Sequence, residues 1–175
     1  MDQRFRYVLL GALLVGLMAA TSAMAQTSKV ACGPDHAILY KRAVKLLDTA
    51  EKKLAAKYTA EAKALVKEAN SLFSILVKEC GPQQKERALT EAESQQEAVN
   101  QKKSAEALNR AEMLEKSAND KLKKGQEAEA RGQEDLARQY FRQAKAESEQ
   151  AHTYAIQAEI FALRNQQLVF AFLGR

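Results

Sequence analysis

The sequence contains no tryptophan, and aromatic residues of all kinds make up only 6% of it. That scarcity disfavours a recognition surface built from large rings. There are two histidines, His36 and His152, well separated along the chain. Neither belongs to a Cys-x-x-Cys-His haem attachment, a zinc-type Cys/His spacing or the Glu-x-x-His pairs of di-iron bundles. No glycine-rich phosphate loop or nucleophile elbow is present. No catalytic, cofactor-binding or metal residue is nominated, and the chain reads as a non-enzyme. It has only two prolines, Pro34 and Pro82, each inside a Cys-Gly-Pro tripeptide. Elsewhere nothing forces a helix to end. No block of five or six like charges occurs either. The 27 Lys and Arg are interleaved with 22 Asp and Glu, for a net charge of +5, as on a solvated helix surface. Nucleic acid is not expected as a partner.

What the chain does have begins with a leader. Arg4 and Arg6 precede an apolar run over residues 8–20, and Ala23-Met24-Ala25 closes it with small residues. This is the layout of a secretory signal peptide over residues 1–25, cleaved before Gln26. The run is shorter than the roughly 20 apolar residues of a spanning helix. A periplasmic or secreted location follows, and Cys32 and Cys80 would enter an oxidising compartment. Were the chain between them a single helix, their Cα atoms would lie about 70 Å apart, whereas a disulfide tolerates at most about 7 Å. A bond therefore requires the chain to fold back near the midpoint.

Residues 26–175 read as one all-α domain of two antiparallel helical hairpins. A short hairpin over 26–81, closed by the Cys32–Cys80 disulfide, packs on the base of a long projecting one over 82–175. Gly33-Pro34-Asp35 starts the first helix, which carries Leu39, Ala43, Leu46 or Leu47, Ala50 and Leu54 on one face. A turn around residues 57–59 leads to a second helix with Ala62, Leu65 or Val66, Ala69, Leu72 or Phe73, and Leu76. Gly81-Pro82 suits a helix end followed by a new start, so residues 82–126 read as one long third helix. Its candidate inward positions are Leu89, Ala92, Gln96, Val99, Lys103, Ala107, Ala111, Leu114, Ala118 and Leu122. Their mean spacing of about 3.67 predicts straight or slightly right-handed packing. A turn at residues 130–133 leads to the fourth helix, with Leu136, Tyr140, Ala144, Ser148, Ala151, Ala155, Ala158 and Ala162 inward. Large apolar residues gather at the open ends of both hairpins, which predicts a four-helix head and a thinner alanine-lined arm about 30 Å long. The segment 155–173 is apolar nearly all round and is expected either to be buried against the first two helices or to form a partner- or membrane-facing patch.

A weak internal repeat relates Ala62-Lys63 and Lys67-Glu68-Ala69 to Ala137-Arg138 and Arg142-Gln143-Ala144, each just after a turn. This pattern resembles tetratricopeptide-type hairpins, and more closely the Ala-rich helical-hairpin domains of unknown function in exported Gram-negative envelope proteins. The resemblance implies an envelope scaffold or adaptor acting through protein contacts. A second reading is a periplasmic chaperone, since the outline is similar to the Skp type. Leu89-Thr90-Glu91-Ala92-Glu93 also approaches the Leu-Thr-x-x-Gln motif of the Spy type, with Glu93 in place of glutamine. A third is a membrane-surface protein. Lysines gather at both turns: Lys52, Lys53 and Lys57, then Lys121, Lys123, Lys124 and Arg131. The second cluster, with Tyr140 and Phe141, is the candidate partner contact, towards an envelope protein, anionic lipid or lipopolysaccharide. The oligomeric state is left open.

Overall fold

A computed structural model describes residues 32–85 and 87–174, so the leader expected at residues 1–25 lies outside the described residues. Four helices follow one another: α1 (Pro34–Ala55), α2 (Thr59–Lys85), α3 (Glu91–Ala130) and α4 (Glu134–Val169), with a last 3₁₀ turn at Ala171–Gly174. Helices α1 and α2 form the short hairpin, and α3 and α4 the long one. Cys32 and Cys80 are joined, with their Cα atoms 5.5 Å apart. The bond spans 48 residues and contributes up to about 4 kcal/mol in the loop-entropy account.

Both hairpins close with the same hydrogen-bond pattern. At the first turn the Lys57 amide donates to Leu54 O and the Tyr58 amide to Lys53 O; at the second, Gly132 donates to Glu129 O and Gln133 to Ala128 O. In each case one residue is left-handed, Lys57 at φ 65° and Gly132 at φ 73°. This is the Schellman ending, and glycine is its usual occupant. A lysine there hid the first turn from any search for helix breakers.

The Gly81-Pro82 break does not occur. Helix α2 runs through both residues to Lys85. Proline supplies no helical N–H, but only a turn of helix follows residue 82, so little is lost. The third helix starts instead at Glu91, where Thr90 is the N-cap. The Glu93 amide donates to Thr90 Oγ1 (3.3 Å), and the Thr90 amide donates to Glu93 Oε2 (2.9 Å). Thr90-x-x-Glu93 is a capping box, which satisfies two amides that otherwise lack partners.

The four-helix head is also corrected. Among the described residues, α3 packs on α4 and on neither α1 nor α2. The base is a three-helix core in which Leu47, Val66, Phe73, Leu76 and Ile160 are almost wholly buried, closed by Phe170 and Leu173. The reason lies in α4, which has two dissimilar faces. Ile156, Ile160 and Leu163 point to the short hairpin, while Ala137, Ala144, Ala151 and Ala158 recur every seventh residue towards α3. Helix α3 has no second apolar face with which to reach α1 or α2. The segment 155–173 is thus largely buried in the base. Arg164 fastens it to α1, donating to Asp48 at 2.7 Å and to Glu51 at 2.9 and 3.1 Å.

The seam of the long hairpin differs in period from the expectation. On α3 its buried and half-buried members are Asn100, Ser104, Ala107, Ala111, Leu114, Ala118, Lys121, Gly125 and Ala128. They alternate in steps of four and three, the 3.5-residue period of a left-handed coiled coil. Val99 and Leu122, expected inward, are 43% exposed each and sit one residue off the seam. Small residues predominate at the interface, with Asn100, Leu114 and Lys121 as the larger members, because they let the two backbones approach. At Gly125 the approach is extreme: a Cβ there would lie 2.5 Å from the Phe141 ring. The hairpin register is the one expected from folding about Gly132, with Lys103 over the Phe161 ring and Arg110 over Tyr154.

Four outcomes check this account, all read as denaturant midpoints. Lys57→Gly is expected to stabilise the protein by about 1 kcal/mol, and Gly132→Ala to destabilise it by about 1–2 kcal/mol, because only glycine is left-handed without penalty. Gly125→Ala should destabilise by about 1–3 kcal/mol through overpacking, despite alanine's better helix propensity. In a Phe141→Ala background the same change should stabilise instead.

Candidate functional site

The contact between the hairpins runs from Tyr40, whose hydroxyl donates to Gln167 O at 3.3 Å, to Thr59 and Ala60 beside Glu149 and Ile156. Residues 134–145 of α4, with their α3 partners, extend beyond it as a two-helix arm of about 18 Å. Where the short hairpin ends against α4, an open corner of about 1010 Å³ forms. Lys57, Tyr58 and Glu61 line one side and Glu149, Gln150 and Tyr154 the other. Tyr58 is 56% exposed there, with the Lys53 ammonium 5.0 Å from its ring. The corner and the arm are the concave and convex surfaces available to a partner.

The structure separates the residues nominated at the arm. Lys123, Lys124 and Arg131 are exposed near the tip. They do not form a uniform basic patch, because Glu127, Glu129, Glu134 and Asp135 stand among them, and Arg138 pairs with the last two. Lys121 is turned into the seam. Its ammonium donates to Glu147 (2.5 Å) and Ser117 (2.9 Å), and both members of the ion pair are 24% exposed. The Lys121 hydrogen bond, with a smaller share from Ser117, holds the Glu147 carboxyl below its ordinary value. Tyr140 is half-buried, and Phe141 covers Gly125. Of the first-turn lysines, Lys53 pairs with Glu61 at 2.6 Å, while Lys52 and Lys57 are exposed.

Other features were not anticipated. On α3, Val99 and Met113 precede seam positions, while Leu108 and Leu122 follow them, so exposed apolar side chains flank the seam of the long hairpin on both sides. Val99 and Leu122 are among the inward positions expected from the sequence, whereas Leu108 and Met113 lie off that stripe. Arg87 joins the two ends of the long hairpin. Its guanidinium donates to Leu168 O (3.1 Å) and Val169 O (3.3 Å) at the end of α4 and pairs with Glu93 in the first turn of α3. One cation thus serves orphan carbonyls at one helix end and a capping carboxylate at another. At the far end of the base, His36 lies buried beside the disulfide, its Nε2 2.8 Å from Glu79 Oε2. His152 is exposed, at the opposite end of the short hairpin near Lys63 and Glu159.

No family model matches this chain, and no curated protein or solved structure is significantly similar to it. No described helix is long and apolar enough to cross a membrane.

The Arg87–Glu93 clamp gives a signed pH dependence. The Thr90 amide, followed by the Arg87 guanidinium, holds the Glu93 carboxyl down to about 2. Its stabilisation is complete above the unfolded carboxyl's value of about 4.3 and is lost as the pH falls through about 2. The stability difference between the native protein and Glu93→Gln should be constant above about pH 5 and shrink steadily below it. Urea titrations across that range check this; a pH-independent difference would contradict the clamp.

Proposed function

We propose that this protein is a non-catalytic helical scaffold or adaptor of the bacterial cell envelope that works through protein–protein contacts. The observation that carries the reading is the isolation of α3. It packs on α4 alone, so most of its circumference is left for a partner, with Met113 66% and Leu108 50% exposed. The envelope address rests on the leader-like residues 1–25 and on a disulfide, which persists in oxidising compartments. Contact through protein is favoured over contact with an anionic surface because the tip carries acids and bases together. The open corner brings Lys57, Glu61, Glu149 and Tyr154 to one place, without a nucleophile and base at hydrogen-bond distance.

One observation favours a chaperone as the second reading: exposed apolar side chains lie along both flanks of α3, as a surface for many unfolded clients would. A photoreactive side chain placed at Met113 in cells separates the two. A scaffold should give one or two discrete adducts, absent when the photoreactive group is moved to exposed Arg138. A smear of products that includes unfolded outer-membrane proteins would favour the chaperone. No adduct from Met113 or from Leu108 would overturn both.

A further inference from the structure

The disulfide end of the base contains more than a crosslink. Cys32 is half-buried, Cys80 and His36 are buried, and one ligand atom from each lies within 4.8 Å of the other two. The histidine is held in a single orientation. Its Nδ1 accepts the Gly33 amide at 3.1 Å, so Nε2 carries the proton and donates it to Glu79 at 2.8 Å. The ring therefore turns an unprotonated nitrogen towards the residue that follows Cys32, while a carboxylate steadies the opposite nitrogen. Once the ring releases the Gly33 amide, Nδ1 has its lone pair for a metal while the carboxylate fixes the second nitrogen, as in metal-bound histidines.

From this cluster we infer that the reduced protein binds a thiophilic divalent cation such as zinc through Cys32, Cys80 and His36 Nδ1, which exchanges its bond from the Gly33 amide for the metal, with Glu79 as the carboxylate behind the histidine. The disulfide is then a redox gate on a metal site. To open it, the disulfide takes two electrons and two protons from a dithiol reductant, which is itself oxidised to a disulfide. The two resulting thiols lose their protons to solvent as two sulfur–metal bonds form. Thiolate and imidazole together suit zinc, and three protein ligands leave a fourth position for water. Two cysteines 48 residues apart show no metal-binding spacing in the sequence. The site exists only because the hairpin brings the first turn of α1 beside the last turns of α2.

The test uses the mature chain, reduced with dithiothreitol, desalted under argon and titrated with Co²⁺, followed by displacement with Zn²⁺. Reduced protein is expected to bind one Co²⁺ per chain, with a thiolate charge-transfer band, and the oxidised protein to show none. His36→Ala should weaken binding at least about 10-fold, and Glu79→Gln about 10- to 100-fold, as for other outer-shell carboxylates. Equal affinity in native and His36→Ala protein would overturn the site, as would one metal shared between two chains. So would loss of the helical circular-dichroism signal on reduction, since the ligands converge only in the packed hairpin.

Discussion

Everything in this protein depends on α4 having two faces that demand different neighbours. Its branched residues Ile156, Ile160 and Leu163, with Phe170 just past its end, require a thick apolar partner, and the short hairpin supplies it through Leu47, Val66, Phe73 and Leu76. Its alanines require the opposite, a helix that comes close and offers little bulk. No single neighbour meets both demands. Two different hairpin partners are therefore recruited to opposite sides of one helix, and the molecule divides into a densely packed base and a slender arm.

The energetics follow the same division. Burying a side chain such as Phe73 or Leu47 contributes about 1.5–3 kcal/mol, while an alanine contributes the worth of little more than one methyl group. The arm is held by many weak contacts and by a few polar ones set into the seam. Lys121 and Glu147 pair across it, and Asn100 accepts from Gln96 at 2.9 Å while the seam register brings it opposite Asn165. A polar residue at a core position of a coiled coil fixes register at some cost in stability. An all-alanine seam would slide easily by a heptad, and these residues resist that slip.

Much of this was legible in the residues. The buried positions of α2 follow its apolar spacing, the second turn is marked by Gly132, and the disulfide demanded the first. What was hidden has identifiable causes. Lys57 does a glycine's work in the first turn, and the actual start of α3 is a Thr90-x-x-Glu93 box masked by the louder Gly81-Pro82. The seam was read with a period of about 3.67 where it keeps 3.5, so Val99 and Leu122 were expected inward although Asn100 and Lys121, one residue away, hold those places. Lys121 looked like part of a basic tip because its partner, Glu147, is distant in sequence. His36 drew no notice as a neighbour of the cysteines, although its place four residues after Cys32, across a helix start, allowed it.

The heptad seam has a consequence for how such a molecule can vary. Since small residues recur at the same interval on both strands, the arm is a ruler graduated in units of seven residues. Removing one unit from each strand would draw the tip in by about 10 Å while leaving every contact at the base in register. Adding one would carry the same tip outward by as much. Reach is thereby uncoupled from folding, and the distance this protein spans can be reset by length changes that its core never senses.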